Sequence, residues 1–198
     1  MSSDVNAFLN NSWGHRAETL SGSGSTMAAT EKLRAGLPGL LTQYGIASLF
    51  DAPCGDGNWI STIDLGSVVY SGGDLVPEFA AAAASNGLST TVFDIRKDSF
   101  PAADLWLCRA CWYHLPFGDI RQSVDNWLRS SIRYALVTSH VGAGQSGDIK
   151  LGGFRRLNLS EHDYFGLPEP VDRLDDVAHE PAQGSMTEEM LLFRNPNC

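Results

Sequence analysis

The chain has 198 residues, 43% hydrophobic and 19% charged, enough for one α/β domain with a buried core and short for two. Its 14 Lys and Arg against 23 Asp and Glu give a net charge of −9. That composition excludes a disordered chain and argues against a surface built to grip nucleic-acid phosphates. No apolar run reaches membrane-spanning length, and the N-terminus has no basic-then-apolar leader pattern. The expected compartment is the cytoplasm, where Cys54, Cys108, Cys111 and Cys198 stay reduced.

Residues 1–26 are polar and rich in Ser, Gly and Asn, with Trp13, His15 and Arg16 embedded. The Ser21–Thr26 run has two readings, a flexible linker or an arm that folds over a ligand. From Met27 to Tyr44 the spacing of Leu33, Leu37, Leu40, Leu41 and Tyr44 predicts a helix. Ser25 or Thr26 is placed to cap it, and Gly36 and Pro38 are expected to kink or divide it.

A first strand is expected at 47–51, ending in Asp51. A turn with Gly55 and Gly57 follows, then a short helix at about 57–63, whose free N–H groups would suit an anion. The second strand, 68–74, also ends in an acid, Asp74, where a nucleotide-binding α/β unit commonly holds ribose hydroxyls. Pro77 and the alanines at 80–84 predict a helix. The third strand, Thr90–Phe93, runs into Asp94 and Ile95, and the fourth spans Ala103–Cys108. Pro116 opens a helix with Ile120, Val124, Trp127 and Leu128 on one face. Tyr134–Ser139 is a fifth strand ending at His140, and two more are expected near 171–178 and 189–194. Repeated strand–helix units imply a mainly parallel sheet with right-handed crossovers. Ligands of such sheets bind at the carboxyl ends of the strands, where Asp51, Asp74, Asp94 and Cys108 fall.

An acid before Gly-x-Gly at 51–57, Gly73-Asp74-Leu75, Asp94-Ile95 ahead of Phe100-Pro101, and Ala103–Trp106 followed by Tyr113-His114-Leu115 form an ordered set. Over about residues 27–140 the set resembles the class I S-adenosylmethionine (SAM) dependent methyltransferases. The resemblance implies a Rossmann-like, mainly parallel seven-stranded α/β sheet with helices on both faces and a C-terminal antiparallel strand pair. It implies one domain over 27–198 behind an N-terminal arm or lid, 1–26. It implies SAM as cofactor. Asp51, Pro53, Cys54, Gly55, Gly57 and Trp59 would hold its amino-acid end, Asp74 and Leu75 its ribose and ring, and Asp94 and Ile95 its adenine. Cys108 and Arg109 would lie beside the methyl group. Pro53 departs from the family, standing where its first glycine is usual. Trp59 and Ile60 occupy the place of the third glycine of a dinucleotide site.

The Cys108-x-x-Cys111 pair with His114 also admits a zinc site with Cys54, or a redox dithiol, but one such pair is a weak signal, and no metal is expected. His114 is the first candidate base, because histidine ordinarily titrates near neutrality, and His140 is the second. A glycine-broken stretch at 141–168 carries Phe154, Arg155, Arg156, Asn158, His162, Tyr164 and Phe165. It is expected to bind the acceptor, with Arg109, Tyr113, Arg155, Arg156 and Asn158 as contacts. No Asn/Asp-Pro-Pro-aromatic motif of the kind associated with methylation of DNA bases is present. The expected reaction is methyl transfer to a small molecule, at an oxygen of a sugar or secondary metabolite, with no nucleic-acid or membrane partner. The alternatives are another use of SAM, such as its cleavage, or a non-catalytic SAM-binding module.

Overall fold

Strand β4, Leu105–Cys108, reads Leu-Trp-Leu-Cys and is buried throughout. Strand side chains alternate between faces. Leu105 and Leu107 accordingly enter one apolar cluster, and Trp106 and Cys108 enter another. The same alternation sends Leu49 of β1 (Ser48–Asp51) to the first cluster and Phe50 to the second. A sheet buried on both faces needs helices on both. The structure is a computed structural model and describes residues 4–5, 8, 18–142, 147–161, 163–178 and 187–198.

The remaining strands are β2 (Val69–Asp74), β3 (Thr90–Val92), β5 (Tyr134–His140), β6 (Pro170–Ala178) and β7 (Thr187–Arg194). They form one seven-stranded sheet in the order β3-β2-β1-β4-β5-β7-β6. Pairs β1–β2, β1–β4, β2–β3 and β4–β5 are parallel, while β7 runs antiparallel to β5 and β6. The strand order reverses between β1 and β4, which opens a crevice at their carboxyl ends. The expected sheet, with its antiparallel C-terminal pair, is what the chain forms.

Helix α1, Glu31–Gln43, buries Leu33, Leu37, Leu40 and Leu41 on the first face. It starts later than the apolar spacing suggested. A turn over 27–30 precedes it, capped by Thr26, whose Oγ1 accepts from Ala29 N at 3.3 Å. Pro38 lies inside the helix without dividing it. Helix α2 spans Pro77–Ser85, and α3, Phe117–Leu128, buries Ile120, Val124 and Trp127 on the second face. No helix among the described residues is long and apolar enough to cross a membrane.

One expected helix is missing. Residues 57–63 hold only a 3₁₀ turn, Ile60–Thr62. Gly57 is left-handed, with φ 70°, and Trp59 and Ile60 are buried against α1. Two anchored apolar side chains directly after a left-handed glycine leave no room for a regular helix.

Gly73 of β2 is where close approach decides the residue. A Cβ there would lie 2.6 Å from Phe93 Cβ and 3.0 Å from Phe50 Cζ, two rings packed edge to face at 4.9 Å. Gly39 of α1 has nothing within 4 Å of a built Cβ. We predict opposite signs in thermal melts. Gly73→Ala costs about 1–3 kcal/mol through overpacking, at about 2–4 °C in Tm per kcal/mol. Gly39→Ala raises Tm slightly, by relieving helix entropy. Equal shifts at the two positions would contradict this packing.

Candidate active site at the carboxyl edge of the sheet

Strands β1 and β2 deliver their last residues, and β4 the residues just after its end, to one cavity of about 930 Å³, open mouth included. Asp51 ends β1, Asp74 ends β2, and Asp94 follows β3; all three line it. Pro53, Cys54, Gly55, Trp59, Leu75 and Ile95 line it too, as do Arg109 and His114.

The glycine turn is closed by other means than a helix. Gly55 takes φ 58°, and a Cβ on it would lie 2.3 Å from Ser21 Oγ. The turn's N–H groups are spent within the protein. Gly55 N donates to Asp74 Oδ2 at 2.9 Å, Asp56 N to Ser21 Oγ at 2.8 Å and Gly57 N to Cys54 O at 3.2 Å. The anion-binding helix start expected here is therefore absent. Asp56 instead gathers the N-terminal arm. It accepts from Thr19 Oγ1 at 2.8 Å, Leu20 N at 2.6 Å and Ser21 Oγ at 2.9 Å. Asn58 Nδ2 adds bonds to Glu18 Oε1 and Ser25 O, each at 3.0 Å. Ser21, Ser25 and Phe8 thereby line the cavity. Trp13, His15 and Arg16 lie outside the described residues.

Asp74 has a structural task beside any ligand role, since Val76 N donates to its Oδ1 at 2.8 Å. Asp94 receives Arg96 Nε at 2.8 Å and Nη2 at 2.7 Å. Arg96 also reaches Asp119 and Asp4, both at 2.7 Å. Burial pushes Asp94 upward, but the Arg96 bonds outweigh it and hold the carboxyl below its usual range.

Arg109, after β4, is the hinge of the other wall. Its Nε and Nη2 grip Asp176 of β6 at 2.9 and 3.0 Å, and its Nη1 donates to Gly24 O of the arm at 2.8 Å. Ala110 beside it takes φ 52°, a conformation uncommon for a residue with a Cβ. It too lines the cavity and donates its N–H to Thr138 Oγ1 at 2.9 Å.

Seven expected contacts do not reach this cavity. Gly57 faces Leu88 and Ala83, and Cys108 is wholly buried beneath the floor. Tyr113 and His140 pack ring to ring at 4.9 Å, one layer behind His114. Arg155 is a bolt rather than an open cation. Its Nη2 donates to Leu115 O at 2.6 Å, and its guanidinium lies 4.3 Å over the Phe117 ring. Asn158 forms a turn with Ser160 N at 3.1 Å, and Arg156 is exposed on the loop. That loop, where described, contains only the 3₁₀ turns Leu159–Glu161 and Asp163–Phe165. His162 lies outside the described residues. Among the described residues, no group of three or more His, Cys, Asp or Glu is placed to hold a metal.

Tyr70 and Arg96 are among the contributors that escaped the sequence reading. Tyr70 donates its hydroxyl to Asp51 Oδ2 at 3.0 Å. Its signal was strand alternation, which places Tyr70 on the face of Gly72 and Asp74. Arg96 follows Asp94 by two residues, close enough to bridge back to it.

Unlike Asp94, Asp51 and Asp74 are buried with no cation in contact among the described residues. Burial raises Asp51 to about 8, with Asp74 adding repulsion, against the Tyr70 hydrogen bond and the more distant Arg109 charge. Burial likewise lifts Asp74 to about 6, against its two backbone N–H bonds. His114 donates Nδ1–H to Gly153 O at 2.7 Å, so the neutral ring carries its lone pair on Nε2. Burial lowers it to about 4. The premise that it titrates near neutrality fails, and it is a weak base.

These positions set a stability test. Between about pH 4 and 8 the folded state binds a proton on Asp51 that the unfolded state has released, so stability falls as pH rises through that window. Asp51→Asn keeps the Tyr70 hydrogen bond and removes the charge. It is predicted to match wild type near pH 4 and to gain at least about 2–4 °C in Tm by pH 8. A variant less stable at pH 8 would contradict the assignment.

No family model matches the sequence, and no curated protein matches it. Solved structures do. A SAM-dependent methyltransferase from Leishmania major is similar at TM-score 0.68 and 13% identity, over 96% of this chain and 81% of that one. The N-methyltransferase NodS from Bradyrhizobium japonicum, bound to S-adenosylhomocysteine, is similar at TM-score 0.66 and 15% identity, over 97% and 96% of the two chains. Magnesium protoporphyrin IX methyltransferase from Synechocystis is similar at TM-score 0.62 and 9% identity, over 83% and 82%. The chain therefore has the fold of the class I SAM-dependent methyltransferases.

Proposed function

We propose that the protein is an enzyme that transfers a methyl group from SAM to a small molecule, at a hydroxyl oxygen of a sugar or secondary metabolite. The observation that carries this reading is Asp51, 2% exposed, against the cavity, with a tyrosine hydroxyl and, among the described residues, no cation in hydrogen-bond or ion-pair contact. A buried carboxylate in that state is costly unless a positive group joins it. SAM brings an ammonium and a sulfonium, and when bound it supplies an electrophilic methyl group. The neighbours crystallised with S-adenosylhomocysteine point the same way.

The chain's own residues fit the rest of that cofactor. Asp74 offers acceptors for ribose hydroxyls while holding the Gly55 turn. Leu75, Ile95 and Phe79 give apolar walls for a purine, next to Asp94. Arg109 fixes the wall beyond Asp51, and His114 lines the same cavity. Its low basicity makes it an orienting group more than a proton sink. Residues 18–25 sit across the turn through Asp56 and Arg109, and we read the arm as a lid that excludes water.

Titration calorimetry in buffers of different ionisation heat tests the carrying point. Binding of SAM at pH 7 is predicted to release up to about one proton, because a cation lowers the Asp51 pKa. The release fades above about pH 9, and Asp51→Asn abolishes it while weakening SAM about tenfold or more. No SAM binding would end the proposal. Turnover yielding methylthioadenosine in place of S-adenosylhomocysteine would make the enzyme a SAM-cleaving one. Removing residues 1–24 is predicted to speed SAM dissociation about tenfold or more; an unchanged rate in stopped flow would make the arm a tail.

A further inference from the structure

Beyond Arg109 the same sheet edge continues through β5, β7 and β6, and a second set of buried polar groups gathers there. Glu188 of β7 pairs in register with His140 of β5. Glu188 is 8% exposed, and among the described residues no donor hydrogen-bonds to it. His140 is 1% exposed, and its Nε2 has no hydrogen-bond partner among the described residues. Leu157 N donates to His140 Nδ1 at 3.1 Å, closer than Leu157 O at 3.3 Å from the same nitrogen, and with Nδ1 accepting the neutral ring carries its proton on Nε2. That proton faces Glu188 Oε1 at 3.7 Å, beyond hydrogen-bond range.

The cation nearest by, Arg109, is already spent on Asp176 and Gly24. Arg109 is paired with Asp176, and among the described residues Glu188 has no cation in hydrogen-bond contact. Burial raises it to about 7, Asp176 adds to the rise and Arg109 opposes it. His140, which faces Glu188, lies in a cluster of rings: Tyr113 is 4.9 Å from it, and Phe154 is 6.1 Å from it and 5.6 Å from Tyr113. Phe154 is half exposed, so the outer face of the cluster opens to solvent. A carboxylate beside aromatic faces is the arrangement that selects an alkylammonium.

We propose that Glu188, with Tyr113, Phe154 and His140 around it, is a subsite that holds a protonated amine of the methyl acceptor. Its role as an acceptor subsite rests on the methyltransferase reading; its preference for an amine does not. Glu188 binds the ammonium, His140 Nε2–H steadies the carboxylate, and the rings cover the cation. The acceptor then spans from the edge of β7 across Arg109 and Tyr113 towards the cofactor cavity.

The test uses ethanolamine and ethylene glycol as matched probes on the full chain saturated with S-adenosylhomocysteine. The readout is the His140 ring signal in NMR, assigned with a His140→Asn variant. Ethanolamine is predicted to shift that signal along a saturable curve, with at least tenfold tighter binding than ethylene glycol. Glu188→Gln removes the preference and leaves S-adenosylhomocysteine affinity within twofold. Glu188→Asp, which keeps the charge and shortens the reach, retains a preference with weaker binding. Equal responses to the two probes, or a preference that survives Glu188→Gln, overturns the subsite. Failure of S-adenosylhomocysteine to bind, with the amine preference intact, counts against the methyltransferase reading alone.

Discussion

A carboxylate buried without a cation is the constraint on which the site depends. Asp51 sits at the reversal of strand order, at the end of β1 beside β4. The fold places it there because Leu49 and Phe50 bury to opposite faces and carry the strand end to the crevice. Among the described residues, the one hydrogen-bond donor on its carboxyl is Tyr70, which satisfies a lone pair and leaves the charge. The protein thus keeps an acid whose ionisation burial opposes and an arriving cation would favour. On the proposed reading, stability is given up where binding energy is collected.

The same edge shows charge handled in two ways. Where the chain itself needs rigidity, each acid has its partner: Asp94 with Arg96, Asp176 with Arg109, Asp56 with the hydroxyls and N–H groups of the arm. At the two positions proposed for ligands, Asp51 and Glu188 have no cation in hydrogen-bond contact among the described residues. Arg109 divides the two halves of the edge. It closes the cofactor side through Gly24 and anchors the far side through Asp176, so one side chain ties arm, turn and last strands together.

Much of the fold was legible in the sequence because its signals are periodic. Two-residue alternation and strand-ending acids fixed the order of elements and the edge that carries the site. Helix 57–63 was misread because a glycine turn before apolar residues predicts a helix by pattern, whereas Trp59 and Ile60 are held by tertiary packing. Asp56 was passed over for a similar reason. Its partners, Thr19 and Ser21, lie more than thirty residues away, and hydrogen bonds of that range leave no local pattern. Arg155 looked like a ligand contact because it is basic on a loop; its bonds to the 112–117 segment are visible only in three dimensions. Glu188 drew no notice because it opens an ordinary edge of apolar strand, and its isolation is a property of what surrounds it.

The most direct measurement is a crystal structure of the protein soaked with S-adenosylhomocysteine. The account places the purine between Leu75 and Ile95 near Asp94, the ribose on Asp74, and the sulfur between Asp51 and the loop from Arg109 to Leu115, under the closed arm. A purine bound elsewhere, or a cavity that stays empty at saturating ligand, would contradict it.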